Sequence, residues 1–152
     1  IRRQRQMCIR DRSIQQQFSV KAREKNITLS LCDTDLHVRC DSKWTVEALG
    51  NIVDNAIKYT ACGGNVQIKV EQYSFFVKID IIDDGIGIEK EEIPKIFGRF
   101  YRSLSVADQP GVGIGLFLAR EIIQAQKGYI KVTSERGKGS IFSVFLPISK
   151  KE

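Results

Sequence analysis

Three clusters of residues in this chain have the types and the spacing to do chemistry, and each has an ordinary explanation beside it. In SKWTVEALGNIVDNAIKYT (42–60), Asn51, Asn55 and Lys58 fall at i, i+4 and i+7. A helix would put the two carboxamides and the ammonium on one stripe. A carboxamide oxygen is a hard neutral ligand suited to Mg²⁺, and a lysine one turn on is placed to meet a phosphate. A solvated helix face carries such a stripe too. The second cluster, DDGIGI (83–88), follows a strand-like run with an acid and two alternate glycines. Gly85 and Gly87 clear side chains where a flat ligand could lie, and Asp83 could accept from an amino group such as adenine's while disfavouring a carbonyl there. A plain turn reads the same way. The third, GVGIGL (111–116), sets three alternate glycines before a helical pattern. The dinucleotide motif G-x-G-x-x-G fails because its last glycine would be Leu116, and no G-x-x-x-x-G-K-[ST] loop occurs. What remains is a helix N-terminus whose open N–H groups suit phosphate oxygens, with a flexible hinge as the alternative.

The elements that must carry these clusters follow from periodicity. Ile14, Phe18 and Ala22 share one face of a helix over 14–25. ITLSL (27–31) and LHVRC (36–40) alternate as strands joined by CDTD, with Ile27, Leu29 and Leu31, and Leu36, Val38 and Cys40, on the inner face. From 42 to 59 the period becomes helical, with Val46, Leu49, Val53, Ala56 and Ile57 as the stripe and Asp41 or Ser42 as the cap. VQIKVEQ (66–72) and FFVKIDII (75–82) read as an antiparallel pair around QYS. EKEEIPKIF (89–97) predicts a short helix, and RSLSVADQPGV (102–112) an uneven loop. Ile114, Leu118, Ile122 and Ile123 predict a helix ending at Lys127-Gly128, and YIKVTS with SIFSVFLP a closing hairpin around ERGKG. The class is α+β: a mixed, mostly antiparallel sheet with helices on one face.

Composition limits the function classes. A chain of 152 residues with 42% apolar content fits one domain with a real core. The net charge of +6 suggests nucleic acid until it is located: +4 of it lies in residues 1–12. The near balance elsewhere argues against nucleic-acid binding. MCIRDR within that tail reads like an in-frame translation of a transposase-type sequencing adapter. Residues 1–12 are therefore expected to be an artefact, with the natural chain continuing upstream of about Ser13; a genuine basic arm is the alternative. Cys8 lies in that tail, and Cys32, Cys40 and Cys62 show neither C-x-x-C spacing nor a histidine cluster, which suits reduced thiols in a cytoplasmic protein. No run of 18 apolar residues occurs.

Taken in order, Asn51-x-x-x-Asn55-x-x-Lys58-Tyr59, Asp83-x-Gly85-x-Gly87, Ile96-Phe97-x-x-Phe100-Tyr101-Arg102 and Gly111-x-Gly113-x-Gly115 resemble the N, G1, F and G2 boxes of the sensor histidine kinase ATP-binding domain. That domain belongs to the wider gyrase, Hsp90, histidine kinase and MutL superfamily. The resemblance covers about residues 13–148, and GKGSIFSVFLP is similar to the family's closing hairpin. It implies a two-layer α/β sandwich over 13–149 with a short C-terminal tail (150–152) and ATP held between helices and a mobile lid of about residues 98–112. It implies Mg²⁺ on Asn55, phosphate or metal-shell contacts from Asn51 and Lys58, and Tyr59 over the adenine. It further implies adenine recognition by Asp83, with Gly85, Gly87, Ile88 and Ser140 around the base. Phe97, Tyr101 and Arg102 would stand at the start of the lid. Gly111, Gly113, Gly115 and Leu116 would close it, with N–H groups toward the phosphates.

Where hydrolysing members of the superfamily carry a glutamate as general base, this chain has Asn51, and an amide cannot take that proton. The resemblance thus implies γ-phosphoryl transfer to a histidine on an upstream dimerisation domain, for relay to a response regulator. Asn55 and Lys58 would carry the catalysis, and the parent protein would be a homodimer, with room for an inner-membrane anchor upstream. His37, the only histidine, reads as a solvated strand residue, so the isolated chain is expected not to phosphorylate itself. A serine kinase acting on an anti-sigma antagonist and a non-enzymatic nucleotide-binding module are the alternatives.

Overall fold

The computed structural model describes residues 5–8, 12–31, 37–40, 42–99, 101 and 114–148. Its main sheet has five strands in the order β2-β4-β5-β7-β6: β2 (Thr28–Leu31), β4 (Asn65–Gln72), β5 (Phe76–Asp83), β6 (Tyr129–Glu135) and β7 (Gly139–Pro147). β2 runs parallel to β4, and the other neighbours are antiparallel, so the sheet is mixed and mostly antiparallel as its alternation predicts. The two short strands around CDTD do not share a sheet. β3 (His37–Cys40) pairs instead with β1 (Arg5–Cys8) in a separate two-stranded ribbon, Arg5 opposite Cys40. Residues 5–8, set apart on sequence grounds, thus occupy a strand.

Register explains the core. One sheet face presents the rows Val70, Ile79, Val144, Ile130 and Ile68, Ile81, Phe142, Val132 across β4, β5, β7 and β6. Opposite, Gln67, Lys69 and Glu71 of β4 are exposed. Helices α1 (Arg12–Glu24), α2 (Ser42–Tyr59) and α3 (Gly115–Ala125) cover the apolar face. In α2 the buried stripe is wide: Ala48, Leu49, Ile52, Val53, Ala56 and Ile57. Each of its larger side chains contributes roughly 1.5–3 kcal/mol on full burial.

Two helices end alike. After α1, Asn26 takes φ 57 while the Ile27 N–H reaches the Ala22 carbonyl at 2.8 Å; after α3, Lys127 takes φ 64 while the Gly128 N–H reaches Ile123 at 3.0 Å. Both are Schellman closures. Gly128 is needed for space, since a Cβ there would lie 2.2 Å from the Phe145 carbonyl.

Two expectations change. Leu118, placed on the buried face of α3 by its spacing, is 40% exposed, because that face centres on Ala119 and Ile123, one residue further round. The helix expected over 89–97 reduces to a single 3₁₀ turn, Ile93–Lys95, with a proline at its start that removes one N–H from any longer ladder.

Candidate functional site

The apolar rows stop at one end of the sheet. There the inner face reads Val66, Asp83, Ser140, Ser134 across the same four strands, so three polar residues form a floor at this end of the apolar layer. Asp83 and Ser140 are buried at 4% and 3% exposure. The Gly85 N–H donates to Asp83 Oδ1 at 2.9 Å. Burial pushes the Asp83 carboxyl up to about 6, with N–H groups of Gly85 and Ser140 pulling down and the Asp84 charge adding to the rise.

The loop after β5 is threaded between two backbones. A Cβ on Gly85 would lie 2.1 Å from the Tyr59 carbonyl, and the Ile86 N–H donates to that carbonyl at 3.0 Å. Gly87, at φ +74, has the Glu135 carbonyl 2.2 Å from where its Cβ would stand. Gly139, at φ +104, similarly meets the Asp83 carbonyl at 2.1 Å. The room at Gly85 and Gly87, expected on sequence grounds to serve a flat base, is thus filled by protein backbone. These contacts fix Asp83 between the end of α2 and the β6–β7 turn. Ile88 is 2% exposed, and its N–H donates to Ser134 Oγ at 2.7 Å.

The wall beside this floor is α2. Asn51, Asn55 and Lys58 are each partly buried, and Asn55 Nδ2 is enclosed without a hydrogen-bond partner. Tyr59 is buried in the core. Lys25 Nζ donates to the carbonyls of Ile57 and Lys58 at 2.9 and 3.2 Å, capping the last turn of α2. Helix α3 begins against Asn51: a Cβ on Gly115 would sit 3.7 Å from Asn51 Cβ. Its N-cap, Ile114, supplies no side-chain cap, and its first turn holds no acid. Among the described residues the helix thus carries no cap of its own at this end, which stands beside the α2 amides.

Phe97 is buried edge-on to Phe142, with ring centroids 6.3 Å apart. Arg120 of α3 lies 5.1 Å over the Phe97 ring, and Arg99 lies 4.8 Å over Phe117 of α3. These reciprocal pairs clasp the segment 97–99 to the first turns of α3. Tyr101 is partly buried, and its phenol is pushed up by burial and then by Glu92. Leu116 packs on the core edge. Phe100, Arg102, Gly111 and Gly113 lie outside the described residues, as does most of the span 98–112.

The structure therefore brings Asn51, Asn55, Asp83, Gly85, Gly115 and Ser140 to one end of the sheet. The sequence reading left Ser134, Lys25, Arg99 and Arg120 without roles. Strict alternation in YIKVTS signals an inward Ser134; the others depend on long-range packing.

A family model described as histidine kinase-, DNA gyrase B-, and HSP90-like ATPase matches residues 40–150. The chain belongs to this ATPase family. It is 37% identical over 127 residues to the sensor histidine kinase WalK of Bacillus subtilis, an alignment covering 81% of this chain and 21% of WalK. It is 37% identical over 128 residues to the sensor protein kinase PmrB of Pseudomonas aeruginosa, covering 84% of this chain and 27% of PmrB. It thus spans about a fifth to a quarter of these relatives. Among solved structures it is similar to the mycobacterial sensor histidine kinase MprB, with TM-score 0.83 at 25% identity, covering 97% of this chain and 100% of that one. The catalytic domain of the histidine kinase ThkA gives TM-score 0.79 at 25% identity, covering 98% and 99%. The α+β architecture is that of these catalytic domains.

Proposed function

We propose that this chain is the ATP-binding catalytic part of a two-component sensor histidine kinase, passing the γ-phosphoryl of ATP to a histidine on a separate dimerisation domain for relay to a response regulator. The observation that carries the reading is the meeting, at one end of the sheet, of a buried acceptor floor with the start of helix α3 and two carboxamides. Asp83 and Ser140 suit the amino edge of adenine. The N–H groups at the start of α3 and the Lys58 ammonium suit the phosphates.

Among the described residues no group of three histidine, cysteine, aspartate or glutamate side chains could hold a metal. Mg²⁺ asks for little from protein, since phosphates and water fill most of its shell. A carboxamide meets a metal through its oxygen, so Asn55 Oδ1 is the atom that suits Mg²⁺, while the enclosed Nδ2, a donor, takes no part in holding it. Asn55 is the residue that would hold Mg²⁺, which when bound neutralises phosphate charge. Asn51 offers no base for water, so the arrangement favours transfer over hydrolysis. The acceptor comes from elsewhere, because His37 lies on β3 in the separate ribbon and is the chain's only histidine. No helix among the described residues is long and apolar enough to cross a membrane. A cytoplasmic catalytic module of an anchored homodimer accords with that.

The test is reconstitution. Mixed with a histidine-bearing dimerisation domain and Mg·ATP, the chain is expected to label that domain with an acid-labile phosphate, and Asn55→Ala to cut labelling at least about a hundredfold. Labelling on serine would favour the serine-kinase alternative, and full labelling by Asn55→Ala would remove Asn55 from the mechanism.

A further inference from the structure

The hydroxyl of Ser134 has one proton and three close neighbours. Its Oγ accepts the Ile88 N–H at 2.7 Å, lies 3.1 Å from the Gly139 carbonyl oxygen and lies 2.7 Å from Ser140 Oγ. A hydroxyl donates once and accepts through two lone pairs, and a carbonyl only accepts. For all three contacts to be hydrogen bonds at once, Ser134 donates to Gly139 and the bond between the two serines is donated by Ser140. The register sets the direction of that bond. Ser140 stands between Asp83 on β5 and Ser134 on β6, so its proton points along the row away from Asp83. Toward Asp83 it shows lone pairs, and the Asp83 carboxylate shows acceptors as well.

Resting on the nucleotide reading above, we propose that Ser134 is a specificity-determining residue: by fixing the direction of the Ser140 hydroxyl it keeps this end of the site acceptor-only. Such an end admits a purine with a 6-amino group and rejects one with a 6-oxo group. Ser134 acts only through Ser140 and the loop at Ile88. Without it, the Ser140 rotor is free to turn its proton to Asp83 or to a 6-oxo oxygen, and the discrimination weakens.

ATP and inosine triphosphate differ at that purine edge, so their affinities for the full chain, by calorimetric titration with Mg²⁺, form the test. Ser134→Ala is expected to shrink the ATP-to-ITP affinity ratio by about tenfold, and Ser134→Thr to preserve it. In a Ser140→Ala background, Ser134→Ala is expected to leave the ratio unchanged, because no hydroxyl remains to be oriented. Should Ser134→Ala unfold the chain, Ser134→Cys, near in volume and a weak donor, carries the same expectation. Equal losses for both nucleotides, or the same shift of ratio in the Ser140→Ala background, would make Ser134 merely structural and overturn the assignment. A folded wild-type chain that binds both nucleotides equally leaves the nucleotide reading standing and overturns this one. A wild-type chain that binds neither overturns the nucleotide reading, and this with it.

Discussion

Asp83 answers to two opposed demands. As an acceptor for a base it must be ionised, yet its burial raises its pKa from 3.8 to about 6. A raised folded-state value means that the native chain holds this proton to higher pH than the unfolded chain does. The stability contribution is whole below 3.8, falls as pH rises and is gone above about 6. Asp83→Asn removes the charge, so at pH 7.5 the nucleotide-free variant is expected to be more stable than wild type, by up to about 3 kcal/mol in urea unfolding. The same variant should bind ATP at least about tenfold more weakly, since an amide nitrogen then faces a donor. Wild-type ATP affinity is expected to fall as pH drops through 6, a trend that Asp83→Asn should lack. The place of Asp83 was legible in DDGIGI, as an acid closing a strand before glycines. Its pairing with Ser140 was not, because β5 and β7 meet across more than fifty residues of chain and only the folded register reveals the row.

At the scale of elements, helix α2 was legible to the residue, 42–59, because a wide apolar stripe on an 18-residue segment admits few other packings. Strand partners were less so: nothing in ITLSL shows that it runs parallel to β4 while LHVRC joins a different ribbon. The glycines separate into two kinds. Gly139 combines φ +104 with a backbone oxygen 2.1 Å from its would-be Cβ, whereas at Gly115 the nearest atom is at an ordinary 3.7 Å. Gly139→Ala is therefore expected to cost about 2 kcal/mol or more of stability, and Gly115→Ala to stay within about 0.5 kcal/mol. Chemical denaturation of the two variants side by side checks this. The clasp of Arg99 on Phe117 and Arg120 on Phe97 joins the segment before residue 102 to the start of α3. Arg99→Ala and Arg120→Met should each cost about 0.5–1 kcal/mol, read the same way.

For the whole molecule, one sheet end gathers Asp83, Ser140, the α2 amides and the start of α3, while the proposed phosphoacceptor lies in another domain. The isolated chain is accordingly expected to bind Mg·ATP without forming phosphohistidine. Acid-labile label on the chain alone would show that His37 is in play. The most direct measurement is a calorimetric titration of the folded 152-residue chain with Mg·ATP, for wild type and Asp83→Asn together. Saturable one-to-one binding by wild type, weakened at least about tenfold in Asp83→Asn, is the expected result. A folded wild-type chain that takes up no Mg·ATP, or an Asp83→Asn chain that binds it as tightly, contradicts the assignment of this site.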